Sequence, residues 1–222
     1  MSMRKPGYSP KERGKGNKKR KAFVLINAEG KNKTETNYLK KFANRNVRIH
    51  FASGQSTDPV NMVNELVGLM NETDFDSKLG DRAFCLIDAD VIPSKNIKIK
   101  EADIRAKNKN IELIVSSPCF EDWFLCHFCF TTRQFNSNAE LICELQKRIP
   151  DYSKNRSDIY DILLPMLDNA IQNAKLQENY LVENGVHRHT VDFSPCTEAY
   201  RVIEGISKIE TQNQCANRLI LP

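Results

Sequence analysis

The apolar positions of this chain fall into short dense runs separated by longer stretches in which they recur every three or four residues. "AFVLINAE" (22 to 29) is almost uninterrupted in apolar residues, the pattern of a strand covered on both faces. "VRIHFAS" (47 to 53) alternates Val47, Ile49 and Phe51 with polar positions, and "RAFCLIDAD" (82 to 90) and "IELIVSS" (111 to 117) supply a third and a fourth strand. Helical patterns lie between them. Thr34 opens "TETNYLKKFANR" (34 to 45). Thr57 or Asp58 caps a helix with Pro59 in its first turn, where Val60, Val63, Leu66, Val67 and Met70 make one stripe. A lysine-rich stretch through Arg105 and Lys107 leads to the fourth strand, after which Pro118 begins a helix. Strands alternating with helices predict an α/β fold with a mostly parallel, four-stranded sheet flanked by helices.

Beyond Phe130 the pattern changes to helices without evident strands, in "AELICELQKRI", "IYDILLPMLDNAIQNAKLQENYLVE" and "TEAYRVIEGISKI". Pro165, inside the second, is placed to kink or divide it. The chain therefore reads as a basic N-terminal arm (1 to 21), an α/β domain (22 to 130) and a C-terminal helical annex (131 to 222) packed on the core.

Charge sharpens the first of these boundaries. The net charge is +5, yet residues 1 to 21 hold nine Lys or Arg against one Glu, so the remainder is mildly acidic. An arm of this composition, with Gly, Pro and Ser interleaved, buries no core, and two readings stay open for it. It is a solvated tail, or it contacts a nucleic-acid backbone through residues such as Lys18, Lys19 and Arg20. No apolar window reaches the roughly 18 residues of a membrane span, and no apolar segment follows the basic start, so no membrane partner and a cytoplasmic location are expected. Seven scattered cysteines, mostly inside apolar runs, read as reduced core thiols. Cys126-x-x-Cys129, with His187 and His189, has zinc-like spacing, but it sits in "FLCHFCF", which reads as buried helix.

The acids stand where open α/β sheets bind ligands, at the carboxyl ends of strands. Glu29 ends the first strand, and Asp88 and Asp90 end the third, where an extended chain points residues i and i+2 to the same side. Three gathered carboxylates repel one another unless a proton or a divalent cation neutralises them, and such hard oxygen donors suit Mg²⁺ or Mn²⁺. The alternative is that Glu29 caps a turn and Asp-x-Asp merely closes a strand.

"EG" after a first strand and "DAD" after a later one resemble the Toprim domain of topoisomerases, primases and OLD-type nucleases. More narrowly, "EGKNKTETNYLKKF", "GQSTDPVNMV", "SSPCFEDWFLCHF", "YSKNRSDIY", "AIQNAK" and "SPCTEAYRVIE" resemble, in order, segments of the RloB-like family, over most of residues 22 to 205. The resemblance implies a Toprim-like fold, a place in bacterial anti-phage defence or abortive infection, and metal-dependent nuclease activity on RNA or DNA. It marks Glu29 as an acid-base or metal-contacting residue, Asp88 and Asp90 as Mg or Mn ligands, and Glu35 and Glu121 as supporting acids. Lys31 and Lys33 would steady a phosphate, and Lys154 and Asn155 would line a nucleic-acid groove. Trp123 reads as helix core rather than a base-stacking platform. A homo-oligomer or a second defence subunit is the protein partner this implies. A catalytically silent binding subunit is the competing reading.

Overall fold

The structure, a computed structural model, describes residues 20–29 and 34–218. Three parallel strands form its centre: β1 (Ala22–Ala28), β3 (Arg82–Asp88) and β4 (Glu112–Ser117). With β2 (Val47–Phe51) and β5 (Cys196–Thr197) they make one five-stranded sheet in the order β2-β1-β3-β4-β5. All pairings are parallel except β4 with β5, where Ser116 faces Thr197 and Ser117 faces Cys196. The expected count of four strands is thus corrected to five. The added strand comes from the segment expected to hold helices alone, and at two residues it is too short to carry a hydrophobic period.

Alternation along each central strand divides the core in two. Val24, Ile26, Phe84, Leu86 and Ile114 face one layer, which also holds Tyr38, Trp123, Phe124, Ala170, Ala174, Ile203 and Ile206. Leu25, Ala83, Cys85, Ile87, Leu113 and Val115 face the other, with Met62, Val63, Leu66, Ile99, Ala102 and Ala106. The first layer is built from α1 (Thr34–Leu39), α4 (Glu121–Cys126), α7 (Leu167–Glu183) and α8 (Tyr200–Arg218). The second is built from α2 (Pro59–Glu72) and α3 (Lys95–Lys107). Covering both faces explains why the central strands read as continuous apolar runs.

Local chemistry accounts for some of the helix ends. Asp58 caps α2 by accepting from the Asn61 amide at 3.0 Å, with Pro59 at the first helical position. Ser137 is the N-cap of α5 (Asn138–Gln146) and accepts from the Glu140 amide. Pro165 divides its segment into α6 (Ile159–Leu163), a 3-10 turn over Leu164–Met166, and α7. The helix expected from Pro118 starts later, at Glu121, and the helix opened by Thr34 tightens into a 3-10 turn at Lys40–Phe42. The lysine-rich stretch before β4 is itself a helix, α3. Only Ile99, Ala102 and Ala106 are buried on it, a stripe diluted by surrounding charge.

Candidate active edge

The carboxyl ends of β1, β3 and β4 point to one edge of the sheet, and five acids gather there. Glu29 follows β1, Asp88 ends β3, Asp90 lies two residues further, Glu121 opens α4 just beyond β4, and Glu35 sits in the first turn of α1. One Glu29 carboxylate oxygen accepts from the Asp88 amide at 3.2 Å, which ties the two strand ends together. Asp88 turns one oxygen to the Phe120 amide at 2.9 Å, so it also holds the start of α4.

The carboxylates of Asp88 and Asp90 are not related by strand alternation. The strand stops at Asp88, and Asp90 adopts a left-handed backbone with φ 52°, so extended alternation ends between them. Asp90 instead accepts from the Asn138 side-chain amide at 2.7 Å through one oxygen and from Lys95 at 2.8 Å through the other.

Lys95, in the first turn of α3, is the residue that sequence reasoning missed. Its ammonium lies 3.0 and 3.1 Å from the two Glu29 oxygens, 2.8 Å from Asp90 and 2.6 Å from the Asp88 carbonyl. One lysine among several in a basic stretch carries no individual signal. Only its position seven residues beyond Asp88, at the start of a helix, could have singled it out.

The inner acids are held by a second lysine. Glu121 is buried, accepts from the Tyr152 hydroxyl at 3.1 Å and pairs with the Lys154 ammonium at 3.4 Å. Thr34 donates through its hydroxyl to the Lys154 carbonyl at 2.7 Å, which fixes the start of α1 against that loop. Glu35 is 7% exposed, and burial followed by the Glu121 charge pushes its carboxyl up to about 7, with Lys154 opposing. Asp88 is raised well above the usual carboxylate range, first by burial and then by Glu35, Glu121, Glu29 and Asp90. Burial also raises Glu29, against the pull of Lys95. Among the described residues these five carboxyls face two ammoniums, an excess of acid in keeping with the upward shifts of Glu29, Glu35 and Asp88.

Among the described residues, no three or more His, Cys, Asp or Glu side chains form a group ready to hold an ion. The donor chemistry at the edge nonetheless suits a hard cation, and the oxygens of Glu29, Asp88 and Asp90 already converge on one positive charge, that of Lys95. The zinc-like set is not assembled. Cys126 is buried and donates its thiol to Gln177, while His189 lies between Asp103 and Glu198. Trp123 is fully buried, as core.

Lys18, Lys19, Lys31 and Lys33 lie outside the described residues. Arg20 gives Asp81 two hydrogen bonds, at 2.9 and 2.8 Å, and its guanidinium lies over the Phe23 ring. It is thus committed to the fold, at the end of β1 away from Glu29. That is roughly 20 Å from the acids at about 3.3 Å per strand residue. A cavity of about 630 Å³, lined by Arg82, Arg188, His189 and Arg201 among others, also lies toward that far end and contains none of the clustered acids.

A mostly parallel five-stranded sheet flanked by helices, with acids after β1 and β3, makes this an α/β protein of the open type. The RloB-like protein family model matches residues 24–206, most of the chain, and the protein belongs to that family. No curated protein and no solved structure matches it. Among the described residues no helix is long and apolar enough to cross a membrane.

Proposed function

We propose that this protein is a divalent-metal-dependent nuclease with a Toprim-like centre, hydrolysing phosphodiester bonds of RNA or DNA in bacterial defence. The observation that carries the reading is the gathering of Glu29, Glu35, Asp88, Asp90 and Glu121 at one sheet edge, where among the described residues Lys95 and Lys154 offset them. A fold rarely concentrates so much like charge without a cation or a proton to hold. The Toprim-like assignment draws support from the order of the acids, a glutamate after β1 and Asp-x-Asp after β3. The defence role follows from the family.

In this reading Glu29, Asp88 and Asp90 would hold Mg²⁺ or Mn²⁺. Such an ion supplies Lewis-acid stabilisation of the phosphoryl transition state and a more acidic bound water. The chain's own residues do the rest. Glu35, with its carboxyl near 7, exchanges a proton at neutral pH and suits general acid-base work. Glu121 is oriented by Lys154 and Tyr152, and Asp88 fixes the Phe120 amide at the floor of the site.

The test is incubation of the protein with RNA and DNA pools and Mg²⁺ or Mn²⁺, alongside Glu29→Ala and Asp88→Asn. Cleavage by the parent protein that is lost in both variants is expected. Absence of cleavage by all three would sink the nuclease reading, and equal cleavage by all three would sink the site.

A further inference from the structure

Lys95 occupies the point on which the acidic edge converges. An ammonium has three hydrogens to donate, yet four oxygens lie within 3.1 Å of it: both Glu29 carboxylate oxygens, Asp90 Oδ2 and the Asp88 carbonyl. That is more acceptors than a lysine can satisfy, from donors chemically suited to a hard cation. Its side chain is only 14% exposed, so the charge is largely enclosed.

A second observation points the same way. Asn138 turns its amide nitrogen to Asp90, as it must, because a carboxylate only accepts. This leaves Asn138 Oδ1 buried with no hydrogen-bond partner, an unused oxygen donor on the residue that holds Asp90. The surroundings of Lys95 therefore offer more acceptor oxygens than the protein's own donors use.

We propose that Lys95 is a built-in counter-ion occupying the cation position of this edge, so that a divalent ion enters only as the Lys95 ammonium withdraws. The inference rests on the metal-dependent reading above and adds its regulation: metal and lysine compete for the same carboxylates. A flexible four-carbon stem at the first turn of a helix allows the ammonium to leave without moving the strands. With Lys95 seated, Glu29 and Asp90 are paired with it and Asp88 is turned to Phe120.

The test is Mn²⁺ binding to the full chain after chelator treatment, read by electron paramagnetic resonance and by the shift in melting temperature, for the parent protein, Lys95→Met and Lys95→Arg. Methionine keeps the apolar stem and removes the charge. Lys95→Met is expected to bind Mn²⁺ at least about tenfold more tightly and to gain more melting temperature on adding Mn²⁺. In chelator it should melt below the parent, because Glu29 and Asp90 lose their partner. Lys95→Arg, which keeps the charge, is expected to bind no more tightly than the parent. Lys98→Met, on an exposed lysine of the same helix, should leave binding unchanged. Equal or weaker binding by Lys95→Met would show that Lys95 organises the acids rather than competing for them. Tighter binding by Lys95→Arg would likewise overturn the proposal, as would no Mn²⁺ binding by any form. Each readout is independent of cleavage, so the nuclease reading fails or stands on its own assay.

Discussion

The Thr34 hydroxyl donates to the Lys154 carbonyl across 120 residues of sequence, and this one bond joins the helix that carries Glu35 to the loop whose ammonium pairs with Glu121. The hydroxyl and the carbonyl lie in a largely buried seam, where an unmade hydrogen bond is costly. Thr34→Val is expected to lower stability by about 1–2 kcal/mol, measured by urea unfolding. Nuclease activity should fall further than stability, since Glu35 loses its register against Lys154. Unchanged cleavage in a folded variant would separate α1 from the site.

Glu35 itself gives the opposite sign. Its carboxyl is raised from 4.5 to about 7 in the fold, so the folded state binds a proton that the unfolded chain releases. The resulting stability is full below pH 4.5 and is lost as pH rises through about 7. In chelator, Glu35→Gln is therefore expected to match the parent at pH 4.5 and to exceed it by about 2–3 kcal/mol at pH 8.5. Urea midpoints at the two pH values check this. A parent protein that is stabler at pH 8.5 than Glu35→Gln would contradict the buried, repelled state assigned to this acid.

Asp81 shows the ordinary carboxylate behaviour at the far end of the strands. Its side chain is fully enclosed and accepts from Arg20 and from the amides of Phe23 and Asp76. Burial alone would raise its carboxyl, but these donors hold it below the usual 3.8. The stabilisation is thus present above about pH 4 and is lost as pH falls through the lowered value. Asp81→Ala should cost about 2 kcal/mol at pH 7, with the share from half-exposed Arg20 reduced by solvent screening. The difference from the parent should shrink toward pH 2, as read by thermal or urea melts.

Gly205 on α8 is a close approach to the sheet. A Cβ there would lie 2.7 Å from the tip of the Phe84 ring, which is itself buried on β3. Alanine would gain about 1 kcal/mol of helix propensity in an open setting. Here the clash with a ring that has nowhere to go outweighs it, and Gly205→Ala is expected to be net destabilising by about 1–2 kcal/mol. Phe84→Leu should recover part of the loss in the double variant.

The central strands were legible because each is buried on both faces, which turns the sequence into uninterrupted apolar runs at Val24 to Ile26 and at Phe84 to Ile87. Helix α2 was legible from its cap and stripe. Helix α3 was not, because burial of Ile99, Ala102 and Ala106 alone leaves charged residues in the majority. Strand β5 is defined by pairing with β4, a long-range event with no local mark. At the site, the five acids were readable from strand ends and from family likeness. The end of strand alternation after Asp88 depends on one left-handed residue, Asp90, and the place of Lys95 depends on how the start of α3 lies against the end of β1. Neither is written in local spacing.

The two-layered core has a consequence for how the protein is made. One face of the sheet, with Val24, Ile26, Phe84, Leu86 and Ile114, is covered in part by α7 and α8, which are synthesised after β1 to β4. A nascent chain ending near residue 130 has all five acids but lacks Tyr152, Lys154 and the core residues of the later helices. The edge therefore reaches its final pairing, Glu121 with Tyr152 and Lys154, only after that later segment has been made and folded against it.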